Sequence, residues 1–232
     1  MPSRGKRLAQ IAAFVPPLLT STVKEKNHCI LATAVGVGVC ERYGIPAEPL
    51  SVEVQAINLA MYRYISRADV DPFDPTHIAS RPDDAWGVGI SNRAEEDYGV
   101  PNRGGWNGHL VVNLPGTGFL DLNASQFHRP QKRLIVPPAI AVTSDPLSDE
   151  WQFFDLSHSA YADRDDYEGL ISYRIAPPTP TSKSWETSEA WRERQTIGHS
   201  QSLDNLISMV IYAIDRNLDI PQLQEALAEA TE

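Results

Sequence analysis

Cysteine is scarce in this chain: its 232 residues hold two, Cys29 and Cys40. Two thiols make no disulfide framework, which points to a reducing, cytoplasmic compartment and leaves secretion open. Long apolar runs are missing as well. No stretch approaches the ~18 to 20 residues that a membrane span needs, so no membrane association is expected. Positive charge is also in short supply, with 20 Lys and Arg against 30 Asp and Glu and a net charge of -10. A phosphate-tracking surface is therefore not expected, and with it nucleic-acid binding. The chain has no CxxC or HxxxH pair, and the adjacent His28 and Cys29 would diverge on a helix. Neither a metal nor another cofactor is expected.

What remains is ordinary globular material, 42% hydrophobic and 22% charged, enough for one good core with an appendage. We expect a core domain over 1–176 and a linker with a C-terminal helical extension over 177–232, packed on that core. Residues 1–20 carry basic and then apolar residues, the outline of a signal peptide. Pro16 and Pro17 interrupt the stretch, no small-x-small cleavage site follows, and Leu8, Ile11, Ala12 and Val15 recur at helical spacing. That pattern predicts a short amphipathic helix instead.

The run HCILATAVGVGVCERY, 28–43, alternates valine with glycine like a strand, yet its unbroken length predicts a buried helix. Gly36 and Gly38 would each cost such a helix about 1 kcal/mol relative to alanine, so another backbone should pack closely there. LSVEVQAI, 50–57, alternates as a strand, and 66–107 reads mostly as loop with a short strand at WGVGI, 86–90. GHLVVNLPGTGFLDLN, 108–123, is the clearest hairpin, and AIAVT from 139 and LISYRIA from 170 are further strands. The acidic segment 145–168 reads as a solvated insertion, because its spacing fits no calcium loop. PPTPTSKS, 177–184, reads as a connector. Beyond it Leu203, Leu206, Ile207, Val210, Ile211 and Ile214 form a helical stripe, which either packs on its own domain or serves a homodimer or partner through 203–214. Pro221 suits the first turn of a last helix.

Cys29 and Cys40 stand eleven residues apart, about 16 Å along a helix at 1.5 Å per residue, well beyond the ~7 Å of a disulfide. Cys40 sits deep in the apolar run, the usual place of a buried free cysteine. Cys29 sits at the first turn, where unpaired N–H groups and the helix dipole favour an anion and hence a thiolate nucleophile. Such a nucleophile needs a base. In the hairpin, Leu110, Val112, Leu114, Leu120 and Leu122 share one face, while His109, Asn113, Asp121 and Asn123 lie on the other with Val111 and Phe119. The apolar sets match only if odd residues pair with odd ones across a three-residue loop, Pro115-Gly116-Thr117. His109 then stands opposite Asn123 and diagonal to Asp121, within reach of a carboxylate that can orient the ring.

These spacings taken together resemble the transglutaminase-like branch of the papain-like fold. Members show a Cys opening a buried helix, an R-x-x-GIPA helix end, a HAW-V strand and an iDpT strand, in the order Cys, His, Asp. Here Cys29 is followed after fourteen residues by Gly44-Ile45-Pro46-Ala47, with Arg42 two before Gly44, and then by His109 and by Asp121 in FLDLNASQF. The match covers roughly 22–128. His109 is followed by Leu-Val instead of Ala-Trp, and Asp121 by Leu-Asn instead of Pro-Thr; no Gln shortly precedes Cys29 to complete an oxyanion hole.

The resemblance implies an α+β fold, an antiparallel sheet packed on the Cys-bearing helix, and a Cys29, His109, Asp121 triad that needs no metal or cofactor. Asn27, Trp106, Asn123 and Gln126 are candidates for substrate or oxyanion contacts, Trp106 equally for plain packing. The activity implied is a thiol-dependent hydrolase, of peptidase or amidase type, cleaving a peptide or protein amide through a thioester. Transglutaminase- or acetyltransferase-type transfer to an amine is the alternative within the same chemistry. A catalytically silent binding or inhibitory module is the alternative outside it.

Overall fold

The structure is a computed structural model that describes residues 3–22, 29–70, 75–90, 108–158, 167–178, 186, 202–219, 221–223 and 225. Its elements in chain order are helix α1 (Arg4–Thr22), helix α2 (Cys29–Arg42), strand β1 (Glu48–Ile57), short helices α3 (Leu59–Ile65) and α4 (Pro75–Ala79), strands β2 (Gly87–Ile90), β3 (His109–Leu114), β4 (Gly118–Asp121), β5 (Ile140–Val142), β6 (Gln152–Asp155) and β7 (Leu170–Ile175), and helix α5 (Leu203–Arg216). The protein is mixed α/β, with an antiparallel sheet curled into a half-barrel. Strand order is β5-β4-β3-β1-β7-β6, with β2 also paired to β1.

The period-2 pattern of the hairpin divides the molecule into two cores. Val112, Leu114, Leu120 and Leu122 face the helices and join the buried stripes of α1, α2 and α5. Val111 and Phe119 face the other way, with Val52, Val54, Ala56, Ile171 and Tyr173, against Phe127, Leu134 and Val136 of the segment after β4. Burial of both faces explains why β3, HLVVNL, carries a nearly continuous apolar run instead of a clean alternation. Val112 pairs with Leu120, Asn113 with Phe119 and Leu114 with Gly118, the odd-with-odd register expected from the pattern.

Helix α2 forms where the long run predicts it, and it packs on β3, α5 and α1. Its glycines mark close approaches, but side chains, not a backbone, make them. A Cβ on Gly36 would collide with Leu122 Cδ1 and Val112 Cγ2, and one on Gly38 with Ile207 Cδ1. The helix ends at Gly44, whose φ of 68° is the left-handed turn that glycine adopts without strain. Buried Thr33 donates its hydroxyl to the Leu110 carbonyl at 2.9 Å, fixing the first turns of α2 against the start of β3.

Several expectations are corrected. Helix α1 is not cut short at Pro16 and Pro17 but continues through both to Thr22. An interior proline costs a helix about 3 kcal/mol, whereas each well-buried leucine returns about 1.5 to 3 kcal/mol. Leu18 and Leu19, beyond the prolines, are buried in the same stripe as Leu8, Ile11, Ala12 and Val15. The segment 145–168 is not simply a solvated insertion: Gln152–Asp155 forms edge strand β6 on β7, and Leu156 is buried. The stretch 66–107, read mostly as loop, holds the short helix α4, while β2 falls at WGVGI as expected. Helix α3 is started by Asn58, whose Oδ1 accepts from the Met61 N–H at 2.9 Å.

The α5 stripe is spent inside the chain. Leu206, Ile207, Val210, Ala213 and Ile214 are buried, and α5 packs on α1 and α2, the packing on its own domain that the stripe allowed. Pro221 lies in a helical turn opened by reciprocal Asp219 and Gln222 side-chain bonds, an acidic capping box. Most of the expected connector 177–184 lies outside the described residues. Among those described, no helix is long and apolar enough to cross a membrane.

Candidate active site

His109 opens β3 on the same sheet face as Val111 and is completely buried, as is Asp121 at the end of β4. The register carries the ring diagonally onto the carboxylate, with His109 Nε2 and Asp121 Oδ2 2.9 Å apart. A carboxylate only accepts, so Nε2 carries the proton of this bond. Asp121 takes two further donors. The Asn123 backbone N–H reaches Oδ1 at 2.9 Å, and the Tyr173 hydroxyl reaches Oδ2 at 2.8 Å. A buried carboxylate with three hydrogen bonds is held in one orientation and meets the satisfaction that its burial demands.

The far side of the ring is equally constrained. After β4 the chain turns into a 3-10 turn, Ala124–Phe127, whose Gln126 N–H donates to the Asn123 carbonyl at 3.1 Å. That turn sets the Gln126 side-chain amide 2.7 Å from His109 Nδ1. It also stands the Phe127 ring edge-on to the imidazole, at 5.6 Å between centroids and 78° between planes. One short segment, DLNASQF, therefore grips His109 at both nitrogens and along its face.

Cys29, the first residue of α2, is a further neighbour, and its thiol adds to the upward pull on the His109 ring. Cys29 is half-buried, while Cys40 is fully buried in the helix core, and both are free. Burial pushes the Cys40 thiol up to about 12, which fits a small core hydrophobe.

Burial alone would drive His109 towards its neutral form. The Asp121 charge and hydrogen bond outweigh that, with support from Cys29, and raise the ring to about 10. The imidazole thus holds both its protons at neutral pH. Tyr173 moves the other way in function: burial first, then the Asp121 charge, lifts its phenol well above 10, so it stays a neutral donor.

Of the residues singled out in the sequence, Cys29, His109, Asp121 and Gln126 come together. Asn123 contributes its backbone N–H, while its side-chain Nδ2 is buried with no partner. Asn27 and Trp106 lie outside the described residues. Tyr173 escaped the sequence reading. The signal was present in LISYRIA, where Tyr173 shares strand parity with Ile171 and so points into the same buried core, but only the sheet order brings β7 to Asp121. Among the described residues no three His, Cys, Asp or Glu side chains are gathered to hold a metal. The chemistry available is that of a thiol next to a buried, acid-anchored imidazolium. No family model matches the chain, and comparison with curated proteins and with solved structures finds no match.

Proposed function

We propose that this protein is a thiol-dependent acyl-transfer enzyme, of peptidase or amidase type, acting on a peptide or protein amide through a thioester on Cys29, and that its fold is of the transglutaminase-like, papain-like kind. The observation that carries the reading is the buried His109 ring held 2.9 Å from Asp121, with the Cys29 thiol acting on the same ring. A half-buried sulfur beside a fully buried ring and acid suits a nucleophile that meets substrate at a cleft while its partners stay dry.

The steps balance without any further group. The doubly protonated ring faces the Cys29 sulfur as its counter-ion, and the sulfur anion attacks the amide carbonyl to form the C–S bond. The ring proton goes to the leaving nitrogen as the C–N bond breaks. Water then attacks the thioester and gives one proton to the ring, the C–S bond breaks to release the acid, and the sulfur anion is restored beside the imidazolium. Asp121 holds the imidazolium in place throughout, while Tyr173 and the Asn123 N–H hold Asp121.

The test is intact-mass spectrometry of the protein incubated with small amide and ester libraries. An acyl adduct mapped to Cys29, lost in Cys29→Ser and in His109→Ala, is the expected result. No adduct with any member, alongside normal folding, would turn the reading towards a silent binding module.

A further inference from the structure

The bond between Gln126 and His109 raises a problem that the triad leaves open. Asp121 holds Nε2, so the nitrogen left for proton exchange with Cys29 is Nδ1, and Gln126 is already there at 2.7 Å. A ring nitrogen carries one proton or one lone pair, so it makes one strong, well-aligned hydrogen bond at a time. Gln126 therefore occupies the one nitrogen that Cys29 would need for proton exchange.

A carboxamide is suited to that role because it has two faces. Its NH2 group donates to a bare Nδ1, and after a half-turn its oxygen accepts from a protonated one. The backbone of Gln126 is pinned, by the 3-10 turn and by Arg129 Nη1, which donates to its carbonyl at 2.7 Å. Its side chain is only half-buried, unlike His109 and Asp121, so the amide has room to turn or withdraw.

We propose that Gln126 is a positioning residue that holds Nδ1 of His109 between turnovers and yields that nitrogen to Cys29 and the leaving group during turnover. This rests on the acyl-transfer reading. The groups facing the ring are Cys29 from α2, Asp121 from β4 with Tyr173 of β7 behind it, and Gln126 and Phe127 from the turn after β4.

The experiment compares wild type with Gln126→Leu and the near-isosteric Gln126→Glu by two readouts. The first is the nitrogen-15 shift of His109 Nδ1 in histidine-labelled protein. The second is the pH profile of Cys29 alkylation by iodoacetamide. Leucine leaves Nδ1–H to the sulfur alone, so the profile moves to lower pH. Glutamate competes as a fixed acceptor and adds negative charge, so the profile moves to higher pH, by about one unit or more. Both substitutions shift the Nδ1 resonance. Opposite profile shifts support the proposal. An unchanged Nδ1 resonance and unchanged profiles in both folded variants would overturn it, leaving Gln126 a packing residue. The resonance reports on the hydrogen bond whether or not any substrate is turned over, so a failed acyl-adduct screen and a failed Gln126 assignment are separate results.

Discussion

Tyr173 and His109 share a single oxygen: the phenol of β7 and the imidazole of β3 both donate to Oδ2 of Asp121, at 2.8 and 2.9 Å. Three strands thus converge on one buried carboxylate. Tyr173→Phe keeps the ring packed against Phe119 and Phe154, whose centroids lie 4.9 and 6.0 Å away, and removes only the hydroxyl. A hydrogen bond to a charged group contributes about 1.5 to 3 kcal/mol, so a loss of that order in unfolding free energy is expected by denaturant titration. His109 then has Oδ2 to itself and should titrate higher still. A fall in the ring's titration point would mean that Tyr173 does not act through Asp121.

The His109 titration links stability to pH with a defined sign. Folded His109 binds its proton to about 10, above the 6.5 of an ordinary histidine. The stabilisation is therefore complete below about pH 6.5 and is lost as pH rises through the folded value. Its size is on the order of a few kcal/mol. Unfolding free energies measured between neutral pH and pH 10.5 should fall more steeply for wild type than for His109→Gln, which lacks the titrating ring. Parallel curves for the two proteins would show that the buried pair is not charged.

Gly36→Ala tests whether the helix glycines serve packing. Alanine improves helix propensity by about 1 kcal/mol, but overpacking a tight core costs about 1 to 3 kcal/mol. The new methyl meets Val112 of β3 and Leu122 beyond β4 together, and β-branched Val112 turns aside poorly. A lowered melting temperature is expected, and a smaller drop for Gly38→Ala, whose one neighbour is the flexible end of Ile207. A raised melting temperature for Gly36→Ala would refute the close approach.

What could be read from the sequence was whatever short-range pattern dictates. The hairpin register follows from parity alone, so the meeting of His109 and Asp121 was legible, as was the buried helix that begins at Cys29. The α5 stripe was legible as a face, though not as one packed on α1 and α2. Where long-range burial overrides a local rule, the pattern misleads. Helix α1 runs through two prolines because leucines beyond them reach the core, and β6 arises in an acidic segment because β7 offers an unpaired edge. Tyr173 illustrates the same limit, since its partner lies 52 residues earlier and only the order β4-β3-β1-β7 in a curled sheet closes that distance.

The most direct test of the account is the rate at which iodoacetamide labels each thiol in the native protein, mapped by mass. The account predicts that Cys29 reacts first, that His109→Gln slows it, and that Cys40, buried and with its thiol raised to about 12, reacts only on unfolding. Equal slow labelling of both thiols, or a Cys29 rate indifferent to His109→Gln, would contradict it.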